Sequence, residues 1–192
     1  MLLPDHEIRS RLQDGSIQID PYEDWMLQPA SVDVTLGWEL RWRRQDSELR
    51  TVPINPFDPD PGDWVRWKFE GDEYLLPPGK LVLGTTEQYI KLDPQIQAQL
   101  NGKSSLGRNG LMIHSTAGFV DPGFEGNVTL EMQNLDRRPL ILRQGMPIGQ
   151  LSFLLLSSPA ERPYGHPDLG SHYQRQRGAT VPSALRGQHE LH

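Results

Sequence analysis

The residues best suited to chemistry are concentrated between positions 102 and 131. A Gly-Lys-Ser-Ser-Leu-Gly-Arg segment at 102–108 combines glycines, two hydroxyls and two cations, so its N–H groups and cationic side chains could bind phosphate oxygens. It lacks the Gly-x-x-x-x-Gly-Lys-[Ser/Thr] spacing of a Walker loop. Taken alone, an ordinary turn with surface charges is the simpler interpretation.

A carboxylate follows in the alternating segment Val-Thr-Leu-Glu-Met-Gln at 128–133. Alternation places Thr129, Glu131 and Gln133 on one face of a strand. A solvated polar face is the simplest interpretation, and a general base held on a rigid strand is the functional one. Asp121, next to Pro-Gly, has the surroundings of a turn residue.

The composition excludes several classes of protein. The chain of 192 residues has no Cys, which excludes disulfide scaffolds and Cys-ligated zinc sites, and its six His form no zinc-deaminase motif. A net charge of −6 argues against binding nucleic acid. Because there is neither a long apolar stretch nor a signal peptide, we expect a soluble cytoplasmic protein with no membrane association.

The element pattern predicts a mainly β protein with one N-terminal helix over residues 4–14, ended by Gly15. From residue 31 the apolar period changes to two, which predicts a polar face with Asp33, Thr35, Glu39, Arg41 and Arg43. Gly37 predicts a bend between two strands. Residues 53–62 are too rich in proline for regular structure. Further strands are predicted at 73–78, 81–85, 88–91, 98–101, 111–116, 127–133, 139–142 and 147–156.

The spacing of these strands is typical of an all-β sandwich or barrel. Beyond about residue 160 the chain loses hydrophobic periodicity. We therefore expect this tail to be disordered, or ordered only when packed on another subunit.

Along nearly its full length the chain resembles the dCTP deaminases of the dUTPase-like superfamily, most closely the branch that forms dUMP. Five motifs in family-like order carry this resemblance. They are Gln-Pro-Ala-Ser-Val-Asp-Val-Thr-Leu-Gly at 28–37, the segment 102–108, His-Ser-Thr-Ala-Gly-Phe-Val-Asp-Pro-Gly-Phe at 114–124, Gly-Met-Pro-Ile-Gly-Gln-Leu at 145–151, and the tail at 164–178.

The resemblance implies a single domain over residues 1–192, with a distorted jelly-roll-like β-barrel assembled as a homotrimer. Active sites would lie at the subunit interfaces, and the tail from about 160 to 192 would close over them. Deamination in this family uses no zinc. Mg²⁺ would be bound through the triphosphate of the nucleotide and not by side chains, and dTTP would be a feedback inhibitor.

Carried over by position, Glu131 would be the general base and acid that activates water for attack at C4 of cytosine. Ser104, Arg108 and the Ala117 carbonyl would orient the water and stabilise charge. Asp121 would meet the sugar 3′-hydroxyl, and Phe124 would lie against the deoxyribose. The complete nucleotide-binding set implied is Lys103, Ser104, Ser105, Leu106, Gly107, Arg108, Asp121, Phe124, Thr129, Leu130, Glu131, Gln150, Tyr164, His172 and Gln176.

One position departs from the family pattern. Eight residues after the tail Tyr164, where the family usually has a phosphate-binding Lys, this chain has His172. Histidine can donate a hydrogen bond to phosphate but is mostly neutral at pH 7.

The Gly118-Phe119 pair favours the bifunctional branch, because enzymes that stop at dUTP carry a bulky basic pair there. A small residue would leave room for a second water at the α-phosphate. We therefore expect conversion of dCTP to dUMP, ammonia and pyrophosphate, which supplies dUMP for thymidylate synthesis. The alternatives are a monofunctional dCTP deaminase that releases dUTP, a dUTPase, and a non-catalytic nucleotide sensor.

Overall fold

A computed structural model describes residues 1–44, 53–59, 61–116 and 118–184. Short 3₁₀ turns at Asp24–Met26, Pro61–Asp63 and Pro167–Leu169 accompany two helices and thirteen strands in this part of the chain. The helices and strands are α1 (Asp5–Asp14), β1 (Ile17–Asp20), β2 (Leu27–Gln28), β3 (Ser31–Thr35), β4 (Glu39–Arg43), β5 (Trp64–Lys68), β6 (Tyr74–Leu76), β7 (Leu81–Leu92), β8 (Ile96–Gly102), α2 (Ser104–Gly107), β9 (Leu111–Met112), β10 (Phe119–Val120), β11 (Glu125–Asn134), β12 (Leu140–Leu142) and β13 (Pro147–Leu155).

The strands form three antiparallel sheets. The largest has the order β5-β4-β7-β11-β9, with β1 also paired to β7. The second has the order β10-β8-β13-β3-β2, and β6 pairs with β12 in a small third sheet. The mainly β fold is confirmed, although over the described residues the sheets do not close into a barrel.

Gly37 marks the bend that the sequence predicts between β3 and β4. Its N–H donates to the Thr85 carbonyl at 2.7 Å, and a Cβ at this position would lie only 2.7 Å from the Thr85 side chain. The close approach requires glycine, and it directs β3 into one large sheet and β4 into the other. The predicted polar face of β3 and β4 is not exposed to solvent, because Asp33, Thr35 and Glu39 are all buried.

The predicted N-terminal helix is confirmed as α1. Pro4 precedes it, Ile8 is its buried residue, and Gly15 ends it with a left-handed φ of 80°. Helix α1 has ten residues, and no helix in the described part of the chain is long and apolar enough to cross a bilayer.

Most predicted strands are present, but those at 81–85 and 88–91 are two parts of the single strand β7. Its polar centre is buried because other elements satisfy it: Gln88 accepts from Thr35 N at 2.8 Å, and Asn127 donates to the Thr86 and Gln88 carbonyls. Residues 53–59 contain no helix or strand, as predicted, and residue 60 lies outside the described residues. The sequence analysis did not predict β1, β2, β5 or β10.

The prediction that the tail is disordered or ordered only against another subunit is wrong for residues 160–184. Main-chain hydrogen bonds join it to its own chain, from Arg175 N to the Glu125 carbonyl at 2.6 Å and from Asn127 N to the Gln176 carbonyl at 3.1 Å. Gly178 and Ala179 are buried beside β4. These contacts are between residues far apart in sequence, so hydrophobic periodicity within the tail does not reveal them.

Candidate active site

Strand β11 holds Glu131 at the centre of the largest sheet, where it pairs with Leu83 of β7. Its Oε2 accepts a hydrogen bond from Ser115 N at 2.9 Å. One end of the carboxylate is therefore tied to the loop that follows β9. A partly exposed carboxylate, oriented in this way on a paired strand, meets the geometric needs of a general base.

Glu131 lies in an open cavity of about 430 Å³ that is lined by β11, the turn before it and the tail. Seven residues predicted from the resemblance share this cavity. They are Phe119, Asp121, Phe124, Thr129, Glu131, Tyr164 and Gln176.

The predicted sugar contacts are on the turn that leads into β11. Phe124 is buried, and its ring centroid lies 5.8 Å from that of Tyr164. Desolvation of the Asp121 carboxyl, although much of the residue is exposed, raises its pKa above the ordinary value. Burial likewise raises the pKa of Tyr164, whose hydroxyl accepts from Tyr173 N at 3.1 Å. This end of the cavity thus combines an apolar wall with one carboxylate.

Gln176 is fixed on the opposite side by the start of β11. It forms a parallel bridge with Gly126, and its Nε2 donates to the Asn127 carbonyl at 2.6 Å. Its Oε1 is buried and has no hydrogen-bond partner within the described chain. A ligand N–H group would satisfy this acceptor.

The predicted phosphate segment lies outside this cavity, whose lining includes none of residues 103–108. Ser104 starts the single-turn helix α2, while Lys103 Nζ lies 2.5 Å from Oδ2 of the buried Asp33. Gln150 is on β13, which pairs with β3, and its Oε1 accepts from Ser31 Oγ at 3.3 Å. Lys103, Asp33 and Gln150 therefore form a second group of polar side chains.

The remaining members of the predicted set are distributed as follows. Ser104, Ser105, Gly107 and Arg108 are exposed, whereas Leu106 packs against the core. Leu130 is completely buried on the other face of β11, so only its main chain faces a ligand there.

Gly118 is closely surrounded by its own chain, and room for a second water at the α-phosphate stays a prediction. A Cβ there would lie 2.9 Å from the Leu100 carbonyl oxygen and 3.4 Å from His114 Cε1, so the position is already filled by the chain itself. Phe119 is 60% exposed and is the member of the pair that faces the cavity. Ala117 lies outside the described residues.

His172 is exposed and lies outside the cavity that holds Glu131. It lines a neighbouring groove of about 890 Å³, which shares Asp121, Tyr164 and Tyr173 with that cavity.

Several cavity residues were not predicted from the sequence. Tyr173, Thr180 and Pro182 come from the tail, and Leu83 comes from β7. No local pattern marks the three tail residues, because the folding of the tail over the sheet is what brings them to Glu131. Leu83 lies within the predicted strand 81–85, but only its pairing with Glu131 places it at the cavity.

Comparisons with known proteins identify the family. A protein of Bifidobacterium longum (strain DJO10A) named "dCTP deaminase, dUMP-forming" is 45% identical over 193 residues, which cover 100% of this chain and 98% of that protein. A protein of the same name from Beutenbergia cavernae is 47% identical over 193 residues, covering 100% and 99%.

The crystal structure of 2′-deoxycytidine 5′-triphosphate deaminase from Agrobacterium tumefaciens matches with a TM-score of 0.60 at 20% identity. The match covers 80% of this chain and 48%, about half, of that one, and it supports the fold. Residues 2–156 match the family model described as dCTP deaminase-like. The chain belongs to the dCTP deaminase-like family.

Proposed function

We propose that the protein is a bifunctional dCTP deaminase that converts dCTP and two waters to dUMP, ammonia and pyrophosphate. The observation that carries the proposal is the oriented Glu131 carboxylate, which shares one cavity with Asp121, Phe124 and Tyr164. Full-length similarity to proteins named as dUMP-forming enzymes supports this branch of the family.

In the deamination step, Glu131 takes a proton from water as the water oxygen bonds to C4 of cytosine. Glu131 passes this proton to N3 as the C4=N3 double bond becomes single. It then takes the proton of the new C4 hydroxyl and gives it to the exocyclic nitrogen, so the C4–N bond breaks and ammonia leaves as the C4 carbonyl forms. The hydrogen bond from Ser115 N keeps the carboxylate oriented throughout. Ser104, Arg108 and the Ala117 carbonyl would orient the water and stabilise the developing charge.

At the sugar, Asp121 would accept a hydrogen bond from the 3′-hydroxyl, and Phe124 would pack against the deoxyribose where a 2′-hydroxyl would clash. Gln176 offers its buried Oε1 to a donor on the nucleotide. The second water would bond to the α-phosphorus and displace pyrophosphate.

The active enzyme would be a homotrimer, as the separation of the two groups of polar residues supports. Residues 103–108 and Gln150 lie outside the cavity of Glu131. In a cyclic assembly every subunit presents the same two surfaces, so residues 103–108 and Gln150 of one chain can complete the cavity of the next. Each trimer would then contain three equivalent composite sites.

Magnesium would enter on the triphosphate. Among the described residues, no cluster of three or more His, Asp or Glu side chains could hold a metal ion. Mg²⁺ usually keeps phosphate and water oxygens as ligands and takes few ligands from the protein. Lys103, Arg108 and His172 would supply hydrogen-bond donors to the remaining phosphate oxygens. The same contacts would admit dTTP as a feedback inhibitor.

Product analysis distinguishes this proposal from its alternatives. The protein is incubated with Mg²⁺ and either dCTP or dUTP, and the products are separated by chromatography. We expect dCTP to yield dUMP, pyrophosphate and ammonia with little free dUTP. Stoichiometric dUTP without pyrophosphate would indicate a monofunctional deaminase, consumption of dUTP alone a dUTPase, and binding without products a sensor.

A further inference from the structure

A second acidic residue, Glu39, lies on the face of the largest sheet that carries Glu131. Glu131 pairs with Leu83, and Leu83 pairs in turn with Arg41 of β4. Paired residues in adjacent strands point to the same side, and so do residues two apart within a strand. Glu39 therefore faces the same side of the sheet as the proposed general base.

The Glu39 carboxylate is wholly buried, and both of its oxygens have partners. Oε2 contacts Nε and Nη2 of Arg66 at 2.6 Å each, and Oε1 accepts from Ala179 N at 2.9 Å. Arg41 Nε lies 3.4 Å from Oε1. A buried carboxylate is stable only when such partners compensate its lost hydration, so this one binds the tail firmly.

The tail is closely fitted at this point. Gly178 has a left-handed φ of 75°, and a Cβ there would lie 2.5 Å from Glu39 Oε1. Two residues later, Thr180 N donates to Thr129 Oγ1 at 3.2 Å. Thr180 and Pro182 then form part of the cavity wall around Glu131.

We propose that Glu39, neutralised by Arg66, is a positioning residue that anchors residues 178–182 over the active-site cavity. It lies outside the cavity lining and acts through the tail, by fixing the wall formed by Thr180 and Pro182. The inference rests on the proposed function, because the cavity it completes is the one assigned to dCTP.

Two full-length variants test the anchor from opposite sides. Glu39→Leu keeps a side chain of similar size but removes both acceptors, while Gly178→Ala places a methyl group against the intact carboxylate. In each, we expect kcat/KM for dCTP to fall about 10- to 100-fold, mainly through KM, because the cavity wall is displaced. The kcat/KM of the double variant should be less than about threefold below that of the less active single variant, since both changes release the same contact.

Hydrogen exchange provides a readout that a general loss of stability would not reproduce. The amides of Ala179 and Thr180 should exchange at least ~10-fold faster in both variants, with the amides of β7 and β11 unchanged. Asp63→Leu is the matched control, because it removes another carboxylate–arginine pair at β4 and β5, with Arg43, that does not touch the tail. It should retain wild-type kinetics and wild-type exchange at Ala179.

Unchanged protection of Ala179 in Glu39→Leu would overturn the anchor. Released amides with unchanged kcat and KM would overturn the positioning role. If Glu39→Leu fails to fold, Gly178→Ala alone decides both questions. A wild-type protein that turns over no dCTP would contradict the proposed function instead, and the exchange experiment would still test the anchor.

Discussion

The two groups of polar residues in this chain are built in contrasting ways. Around Glu131, a paired strand, a turn and the folded-back tail of one chain line an open cavity of about 430 Å³. The segment 102–108 instead carries Ser104, Ser105 and Arg108 exposed, on and just after a helix of one turn. The first group is held rigidly by its own chain, whereas the second presents its polar groups outward.

The contrast indicates that the two groups of residues have different roles. Proton transfer needs a fixed carboxylate, and a β-strand paired with its neighbour at that residue provides one. Phosphate binding needs donors that can adapt to a charged ligand, and exposed hydroxyl and guanidinium groups meet that need. A symmetric trimer would join the two by placing one subunit's exposed segment at another's cavity.

Replacing the proposed general base gives the largest expected effect. Glu131→Gln should lower the deamination rate by ~10²–10⁴-fold or more, because an amide cannot take a proton from water. The Gln oxygen can still accept from Ser115 N, so dCTP binding and assembly should persist. Ammonia release measures the rate, and equilibrium dialysis measures binding.

The control for Glu131→Gln is Glu73→Gln, which makes the same chemical change in an exposed ion pair with Arg143. It should leave ammonia release unchanged. Near-normal deamination by Glu131→Gln would show that this residue is not the general base. The catalytic role assigned to the group around Glu131 would then be wrong.

Mixing two inactive variants tests whether the groups meet across a subunit interface. Glu131→Gln and Arg108→Ala homotrimers should each be nearly inactive. After the two are unfolded and refolded together in equal amounts, about a quarter of the composite sites should contain both intact residues, so about a quarter of wild-type activity should return. Product chromatography on the mixed sample measures the recovery.

Each variant refolded alone is the control for the mixing experiment, and light scattering verifies the mass of a trimer. No recovery in a mixed trimer would place both residues in one chain's site. The mass of a single chain would contradict the assembly itself.

Much of the fold was predictable from sequence because the signals are local. The i, i+4 apolar spacing and Gly15 predict α1, and alternation predicts β3, β4 and β11. β5 was missed although Val65 and Trp67 alternate with Arg66, since the proline-rich segment before it obscured the boundary. β7 was predicted as two strands because Thr86 and Glu87 look like a polar interruption. Their partners are distant in sequence: Thr86 Oγ1 accepts from Val128 N, and Glu87 Oε2 accepts from Thr35 Oγ1.

The candidate site was predicted less completely, for a related reason. Asp121 and Phe124 lie in the motif at 114–124, and Glu131 follows it on a strand marked by regular alternation. Glu39 appeared to be a solvent-facing strand residue, because nothing near it in sequence indicates that Arg66 and the tail will cover it. The close approach of the Leu100 carbonyl oxygen, from β8, explains why position 118 holds glycine, and nothing near Gly118 in sequence indicates this contact.

In the segment 102–108, replacing Lys103 and replacing Arg108 should affect the stability of the protein differently. Lys103→Met leaves Asp33, whose side chain is only 7% exposed, as an uncompensated buried charge and should cost about 2–4 kcal/mol in the free energy of unfolding. Arg108→Met removes an exposed cation and should change it by less than about 0.5 kcal/mol. Urea unfolding at equal protomer concentration compares them, and equal midpoints would mean that Lys103 has no structural role.

The smallest effect concerns Asp121, whose pKa is raised in the folded protein because its carboxyl is desolvated beside the cavity. A raised folded-state pKa means that the folded state binds protons more readily than the unfolded state. Above that pKa the ionised group therefore lowers stability, and the penalty fades as the pH falls. Asp121→Asn should show a slightly higher Tm than wild type at pH 7, and the difference should vanish below the ordinary value of 3.8.

At pH 7 the same Asp121→Asn variant should raise KM for dCTP roughly 3- to 10-fold, because a charged acceptor for the 3′-hydroxyl is lost. Asp20→Asn, an exposed position outside the cavity, controls for the loss of one negative charge and should change neither Tm nor KM. If Asp121→Asn has a lower Tm than wild type at pH 7, the ionised carboxylate stabilises the turn. Charge as well as packing would then stabilise the cavity wall, and the contrast with the exposed segment 102–108 would be weaker.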